Sequence, residues 1–212
     1  MLSTDKIWEL MHDQNTPPEN RLIITPILDW GKQAKKGQSA VDLRLGQLFV
    51  VPSRTKIAEL NHLDENHEEK LQQYKDEYYV LLGDHFVLHP RQFVLGQTLE
   101  WVHLPRDFGA YVIGRSSWGR DGLIIATAIG VHAGYSGVLT LEISNVGEIP
   151  IRLYPGLTIA QLFVHRMEIL EGIEPDKGRF ASSPHAASMD AVDADEKEIV
   201  RKLSKKRGYS QE

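Results

Sequence analysis

The chain has 212 residues, 42% of them hydrophobic and 25% charged, which suits one globular domain with extensions and a core that needs no covalent staples. It has no cysteine, so disulfides, thiolate nucleophiles, iron–sulfur clusters and Cys-ligated zinc are excluded. With 24 Lys+Arg against 29 Asp+Glu the net charge is −5, which argues against a nucleic-acid binder but leaves room for a small anion held by local arginines.

The first residues, MLSTDKIWELMHD, reach Asp5 and Lys6 before any apolar run, so no secretory signal is expected. Residues 3–14 predict a short helix capped by Ser3 or Thr4, with Ile7, Leu10 and Met11 on one face. Residues 15–38 read as loop, rich in Pro and Gly. From Ser39 the period becomes two. In SAVDLRLG, Val41, Leu43 and Leu45 face one way, Asp42 and Arg44 the other. A strand over 46–51 follows.

Residues 53–76 are highly charged and read as a surface excursion, part helical. Strands are then expected over 78–82, 86–95, 99–103, 110–114, 123–129, 138–144, 149–153 and 157–165, with turn signals such as Gly83-Asp84, His89-Pro90 and Pro155-Gly156 between or within them. Many short strands at this spacing predict a mainly β fold, a distorted barrel or jelly roll. Residues 122–141 carry no Asp, Glu, Lys or Arg over 20 positions, long enough for a membrane span. Their four glycines and β-branched residues instead read as buried strands joined by tight turns. No membrane partner is expected, and a cytoplasmic location is the default. Residues 174–192 read as a flexible segment and 193–207 as a terminal helix, acidic at its start and basic at its end. The expected division is a β domain over 1–170 and a lid segment with terminal helix over 171–212.

Three places could carry chemistry. In Gly114-Arg115-Ser116-Ser117-Trp118-Gly119-Arg120, guanidinium groups, hydroxyls and free backbone N–H groups follow a strand end, the parts that hold phosphate oxygens. Taken alone, a solvated basic turn is the commoner meaning of such a loop. In VLTLEISN, alternation puts Leu139, Leu141 and Ile143 on one face and Val138, Thr140, Glu142 and Ser144 on the other. Glu142 therefore lies on a solvated face or lines a pocket, and closure by a neighbouring subunit would suit it to general acid/base work. In Gly130-Val131-His132-Ala133-Gly134-Tyr135-Ser136-Gly137, glycines permit a sharp turn. Tyr135 there either packs on a sugar or simply packs in a β-turn.

Together, SAVDLRLG at 39–46, Gly-Arg-Ser-Ser at 114–117 with Arg120, Gly-Tyr-Ser-Gly at 134–137, Glu142 with Asn145, and Pro155-Gly156 resemble the dCTP deaminase branch of the dUTPase-like superfamily. Order and approximate spacing agree from about residue 37 to 168. The resemblance implies a distorted β-barrel or jelly roll, a homotrimer with active sites at subunit interfaces, and Mg²⁺ bound through the nucleotide triphosphate, without zinc. It implies hydrolytic deamination of dCTP to dUTP and ammonia. Glu142 falls on the general base/acid, and Ser116 and Arg120 on residues that orient the water and the intermediate. Arg115 and Ser117 fall on triphosphate contacts. Thr140 and Leu141 lie where backbone meets the base, and Ala128 where a carbonyl helps hold the water.

The chain departs from that pattern in places. His132 stands where the family places an Asp that holds the sugar 3′-hydroxyl. The loop from Arg120 to Gly134 is one residue shorter. Arg179 and Phe180 after Gly178 stand in for a Lys-Tyr lid pair, with Ser182 and Ser183 where a glutamine is usual. The terminal helix has no counterpart. A dUTPase or bifunctional deaminase/diphosphatase is the alternative, although dUTPases carry an apolar residue at the place of Glu142. A non-catalytic nucleotide sensor is the other. Many nucleotide deaminases use a zinc held by His and Cys. Without Cys, the resemblance assigns water activation to Glu142, Ser116, Arg120 and nearby backbone.

Overall fold

The computed structural model describes residues 1–52, 61–64, 75–127, 129–168 and 194–206. Contacts group the chain into two units: Met1–Val51 with Glu77–Ala187, and Pro52–Asp76 with Ser188–Glu212.

Helix α1 spans Thr4–His12, where the amphipathic pattern predicts it. The Ser3 hydroxyl accepts from Lys6 N at 3.2 Å and satisfies one free N–H of the first turn. Ile7 is fully buried, and Leu10 and Met11 pack against the same core. The stretch expected as loop holds more structure than its prolines suggest: β1 (Ile23–Thr25) and a single-turn α2 (Trp30–Gln33), capped by the Asp29 side chain. Leu22 and Ile24 are each 1% exposed, so core burial fixes this segment despite its poor local signal.

Eleven further strands follow: β2 (Val41–Arg44), β3 (Leu48–Pro52), β4 (Lys75–Tyr79), β5 (Phe86–Leu88), β6 (Phe93–His103), β7 (Phe108–Gly114), β8 (Leu123–Ile125), β9 (Gly130–Val131), β10 (Ser136–Asn145), β11 (Ile151–Leu153) and β12 (Thr158–Arg166). The fold is mainly β, as predicted. One sheet runs β4-β3-β6-β10-β8, with β1 also on β6; a second runs β2-β12-β7-β9; β11 and β5 form a third. Among the described residues no sheet closes on itself. One shared core includes Leu43, Phe49, Leu141, Ile143, Leu162 and Val164, each buried completely. Each such side chain contributes about 1.5–3 kcal/mol of burial.

The strand expected over 86–95 breaks at His89–Gln92, where Arg91 takes φ 64°. The gap between the strands expected over 86–95 and 99–103 is absent, since β6 runs through it. A Cβ on Gly96 would lie 3.0 Å from Ile143 Cδ1, so this glycine lets β10 approach rather than turning the chain. The β6–β10 register then slips: Val138 pairs with Trp101, but Thr140 pairs with Gln97. Thr98 sits in the slip, fully buried. Its hydroxyl donates to Glu100 O at 2.7 Å and accepts from Leu139 N at 2.9 Å.

Alternation assigns Arg44 a face but not its cover. It is 6% exposed, and Glu100, 0% exposed, meets it. Arg44 Nε donates to Glu100 Oε1 at 2.6 Å and Arg44 N to Oε2 at 2.8 Å. Gln33 Nε2 adds a third bond at 3.1 Å, and Arg44 Nη2 donates to Pro26 O at 2.7 Å. Burial pushes the Glu100 carboxyl above its ordinary value, against the opposing pull of Arg44.

In the second unit, helix α4 (Ala194–Lys206) forms over the predicted terminal segment, with Asp195 and Glu196 in its first turn. Its thin stripe of Ile199, Val200 and Leu203 stays exposed. Arg201 Nη2 donates to Leu63 O at 2.5 Å. The uncharged run 122–141 forms β8, β9 and part of β10, and no helix among the described residues is long and apolar enough to cross a membrane.

Candidate active site

The arginine–serine segment leaves β7 at Gly114. A Cβ there would lie 3.2 Å from Ile125 Cβ, so the chain runs close against β8. Helix α3 (Ser116–Arg120) is a single turn. Two bonds tie it to β12: Arg115 N to Ile159 O at 3.0 Å, and Trp118 Nε1 to Thr158 O at 2.8 Å. The anchoring leaves the side chains of Ser116, Ser117 and Arg120 at the surface. Arg115 is half-buried. Its Nη1 donates to Asp42 Oδ2 at 2.9 Å, and the other oxygen of Asp42 accepts from Gln161 Nε2 at 2.9 Å. Strands β2 and β12 and the end of β7 thus meet in one polar cluster at the foot of the arginine.

Glu142 lies on β10 as the alternation predicts. Leu139, Leu141 and Ile143 are buried, while Val138, Thr140, Glu142 and Ser144 are half-buried on the opposite face. Both edges of the strand are held at Glu142. It pairs with Leu95 of β6 on one side. On the other, its N donates to Thr127 Oγ1 at 3.0 Å and its O accepts from Ala126 N at 2.8 Å. Thr140 lies on the same face, opposite Gln97, and Leu141 is fully buried. The arginine segment and Glu142 are linked through β8, since Gly114 abuts Ile125 and Ile125 pairs with Ile143.

His132 is exposed on the turn after β9. Tyr135 is packed, 9% exposed, and its hydroxyl donates to Val138 O at 2.6 Å. Burial pushes its phenol up to about 12. Asn145 is fully buried and ties the following turn: its Nδ2 donates to Leu88 O and Ile149 O, and its Oδ1 accepts from Gly147 N. Ala128, Arg179 and Phe180 lie outside the described residues. Among the described residues no three His, Asp or Glu side chains group as a metal would need.

A sequence profile described as dCTP deaminase-like matches residues 1–167. The chain belongs to that family. A dCTP deaminase of Natronomonas pharaonis is 42% identical over 145 residues, which is 68% of this chain and 72% of that protein. A protein of Methanobrevibacter smithii named dCTP deaminase, dUMP-forming, is 38% identical over 150 residues, 70% of this chain and 74% of that one. The crystal structure of 2′-deoxycytidine 5′-triphosphate deaminase from Agrobacterium tumefaciens shares the fold. It has a TM-score of 0.57 and 24% identity, covering 78% of this chain and 48% of that chain.

Sequence reasoning did not find Thr127, Gln161 or the work of Asp42 in this member of the dCTP deaminase-like family. Gln161 had a signal: it is the lone amide in the apolar strand TIAQLFV. Thr127 had none, because its bond depends on how the chain returns beside β10.

Proposed function

We propose that this protein hydrolyses dCTP to dUTP and ammonia, with Glu142 as the general base and acid. The observation that carries the reading is Glu142 itself: a half-buried carboxylate on a strand clamped along both edges, in a dCTP deaminase-like chain. Water adds to C4 of cytosine. Glu142 takes one water proton and delivers it to N3. It then passes the second from the new C4 hydroxyl to the amino group, which leaves as ammonia while C4=O forms. A positioned carboxylate of this kind contributes about 10²–10⁴-fold.

Ser116 and Arg120, exposed on α3, orient the water and the intermediate. Arg115 and Ser117 bind triphosphate oxygens, Mg²⁺ arriving as part of the nucleotide. The backbone of Ala128, Thr140 and Leu141 meets the base, and His132 and Tyr135 border the sugar. Arg179 and Phe180 belong to the lid. Residues 1–170 form the catalytic domain, and 171–212 supply the lid segment and terminal helix. The protein works in the cytoplasm as a homotrimer with sites between subunits. Support for assembly comes from the outer face of the second sheet, where Tyr111 and Ile113 of β7 are 43% and 49% exposed. They lie in register with Phe163 and Gln161 of β12. Tyr111, Ile113 and Phe163 form an apolar strip of the kind that favours a protein partner.

The test is a panel of nucleoside triphosphates assayed for ammonia and phosphate products. Ammonia from dCTP is expected, and E142Q should release it at least about 100-fold more slowly. A loss under about tenfold refutes the role of Glu142. Binding of dCTP without ammonia release would indicate a nucleotide sensor. A monomer by light scattering would refute the interface site. The second reading, a deaminase that also forms dUMP, is favoured by the near-equal identity to relatives bearing either name. Pyrophosphate released with the ammonia would establish it.

A further inference from the structure

We infer that Asp42 and Gln161 are positioning residues that hold Arg115 ready for a triphosphate, and so set how tightly the protein takes its nucleotide. The inference rests on the reading of Arg115 as a phosphate contact. Asp42 accepts from Arg115 Nη1 at 2.9 Å through one oxygen and from Gln161 Nε2 at 2.9 Å through the other. With both oxygens engaged, the carboxylate is fixed in angle as well as place. The Asp42 side chain is 15% exposed and that of Arg115 is 38% exposed. The anchor is thus mostly covered while the guanidinium still reaches solvent.

An arginine held by one nitrogen keeps the donors of its other two nitrogens for an oxygen ligand. A free arginine would lose rotamer freedom on meeting the phosphates, and one already held loses less. The three residues come from β2, β12 and the end of β7, strands paired along the second sheet, so the anchor is as rigid as the sheet.

The arrangement makes a prediction with a definite sign. Asp42 carries a negative charge near the place where a polyanion would bind. Simple charge counting says that removing it strengthens anion binding. Positioning says the opposite. We expect the loss of order to win: the pair is direct and charge-assisted, whereas the carboxylate reaches the phosphates only across the intervening guanidinium.

The experiment titrates inorganic tripolyphosphate and Mg·dCTP into the full chain by calorimetry, beside steady-state kinetics on dCTP. D42N should weaken both ligands about tenfold and raise KM by a similar factor, with kcat changed less than about threefold. Q161A should weaken them about two- to threefold, since it frees one carboxylate oxygen only. D42E, which restores the charge and both acceptors, should recover part of the loss. In an R115M background, D42N should cost less than about twofold more, because it acts through Arg115. Affinity unchanged or raised in D42N overturns the inference. So does the same tenfold loss in the R115M background, which would mark general damage to the fold. Failure of the wild type to bind tripolyphosphate or dCTP also overturns it. If tripolyphosphate binding follows the expected pattern but no ammonia forms from dCTP, the anchoring of Arg115 stands and the deaminase reading fails.

Discussion

Glu100→Ala tests the buried ion pair most directly. The carboxylate accepts three bonds, from Arg44 Nε at 2.6 Å, Arg44 N at 2.8 Å and Gln33 Nε2 at 3.1 Å. Arg44 and Gln33 are themselves 6% and 7% exposed, so water does not readily replace what is lost. Removing one partner of such a pair strands a buried charge and costs about 3–5 kcal/mol. Urea unfolding followed by tryptophan fluorescence should show the midpoint falling by about 1–2 M, given slopes near 2–3 kcal/mol per molar for a chain of this size. R44M/E100L, which removes both charges and keeps apolar volume, should recover most of that loss.

The pH dependence has a fixed sign. Burial raises the folded carboxyl above its ordinary 4.5, so the folded state holds the proton more tightly than the unfolded chain. The stability that Glu100 adds over alanine is therefore fully present below about pH 4.5 and declines as pH rises through the folded value. A loss below about 1 kcal/mol in E100A would refute the energetic argument, since such a pair should cost several times that. A gap that widens with pH would show that the Arg44 charge, not burial, governs the site.

Tyr135→Phe removes the 2.6 Å bond to Val138 O and should cost about 1 kcal/mol at neutral pH by chemical denaturation. With the phenol raised from 10.0 to about 12, the margin of wild type over Y135F should be level below pH 10 and shrink between 10 and 12. Gly122→Ala should destabilise by at least about 2–3 kcal/mol, because φ is 87° and the new Cβ would sit 2.9 Å from backbone atoms of Gly147. Gly37→Ala has φ 75° but nothing within 4 Å, so it should cost only the backbone strain, about 1 kcal/mol. Equal melting temperatures for the two would refute the steric part of the argument.

What the sequence discloses follows from the range of its signals. Alternation is local, and it places Glu142 on the correct face of β10 and Leu141 in the core. The N-terminal helix is legible because Ser3, Ile7 and Leu10 act within three turns. Long-range pairs are not legible. Asp42 meets Gln161 across 119 positions, and Arg44 meets Glu100 across 56. At Arg44 alternation is incomplete, because a period of two assigns a face but not what covers it. Gly96 and Pro90 show the same limit in turns. Both are turn residues by composition, yet only the segment with Pro90 turns, and the deciding fact for Gly96 is a side chain on β10.

The slip between β6 and β10 carries a consequence for insertions and deletions. Between the pairs Val138–Trp101 and Thr140–Gln97, β6 spends four steps where β10 spends two. The surplus is even, so both strands keep their inward and outward sides across it. A one-residue deletion there would turn one half of β6 over, sending Trp101 and His103 inward. A two-residue deletion would preserve the sides but straighten the strand by removing residues among Thr98, Leu99 and Glu100. Where that deletion takes Glu100, it also strips the buried Arg44 of its acid, so straightening the strand by that route requires replacing the arginine as well.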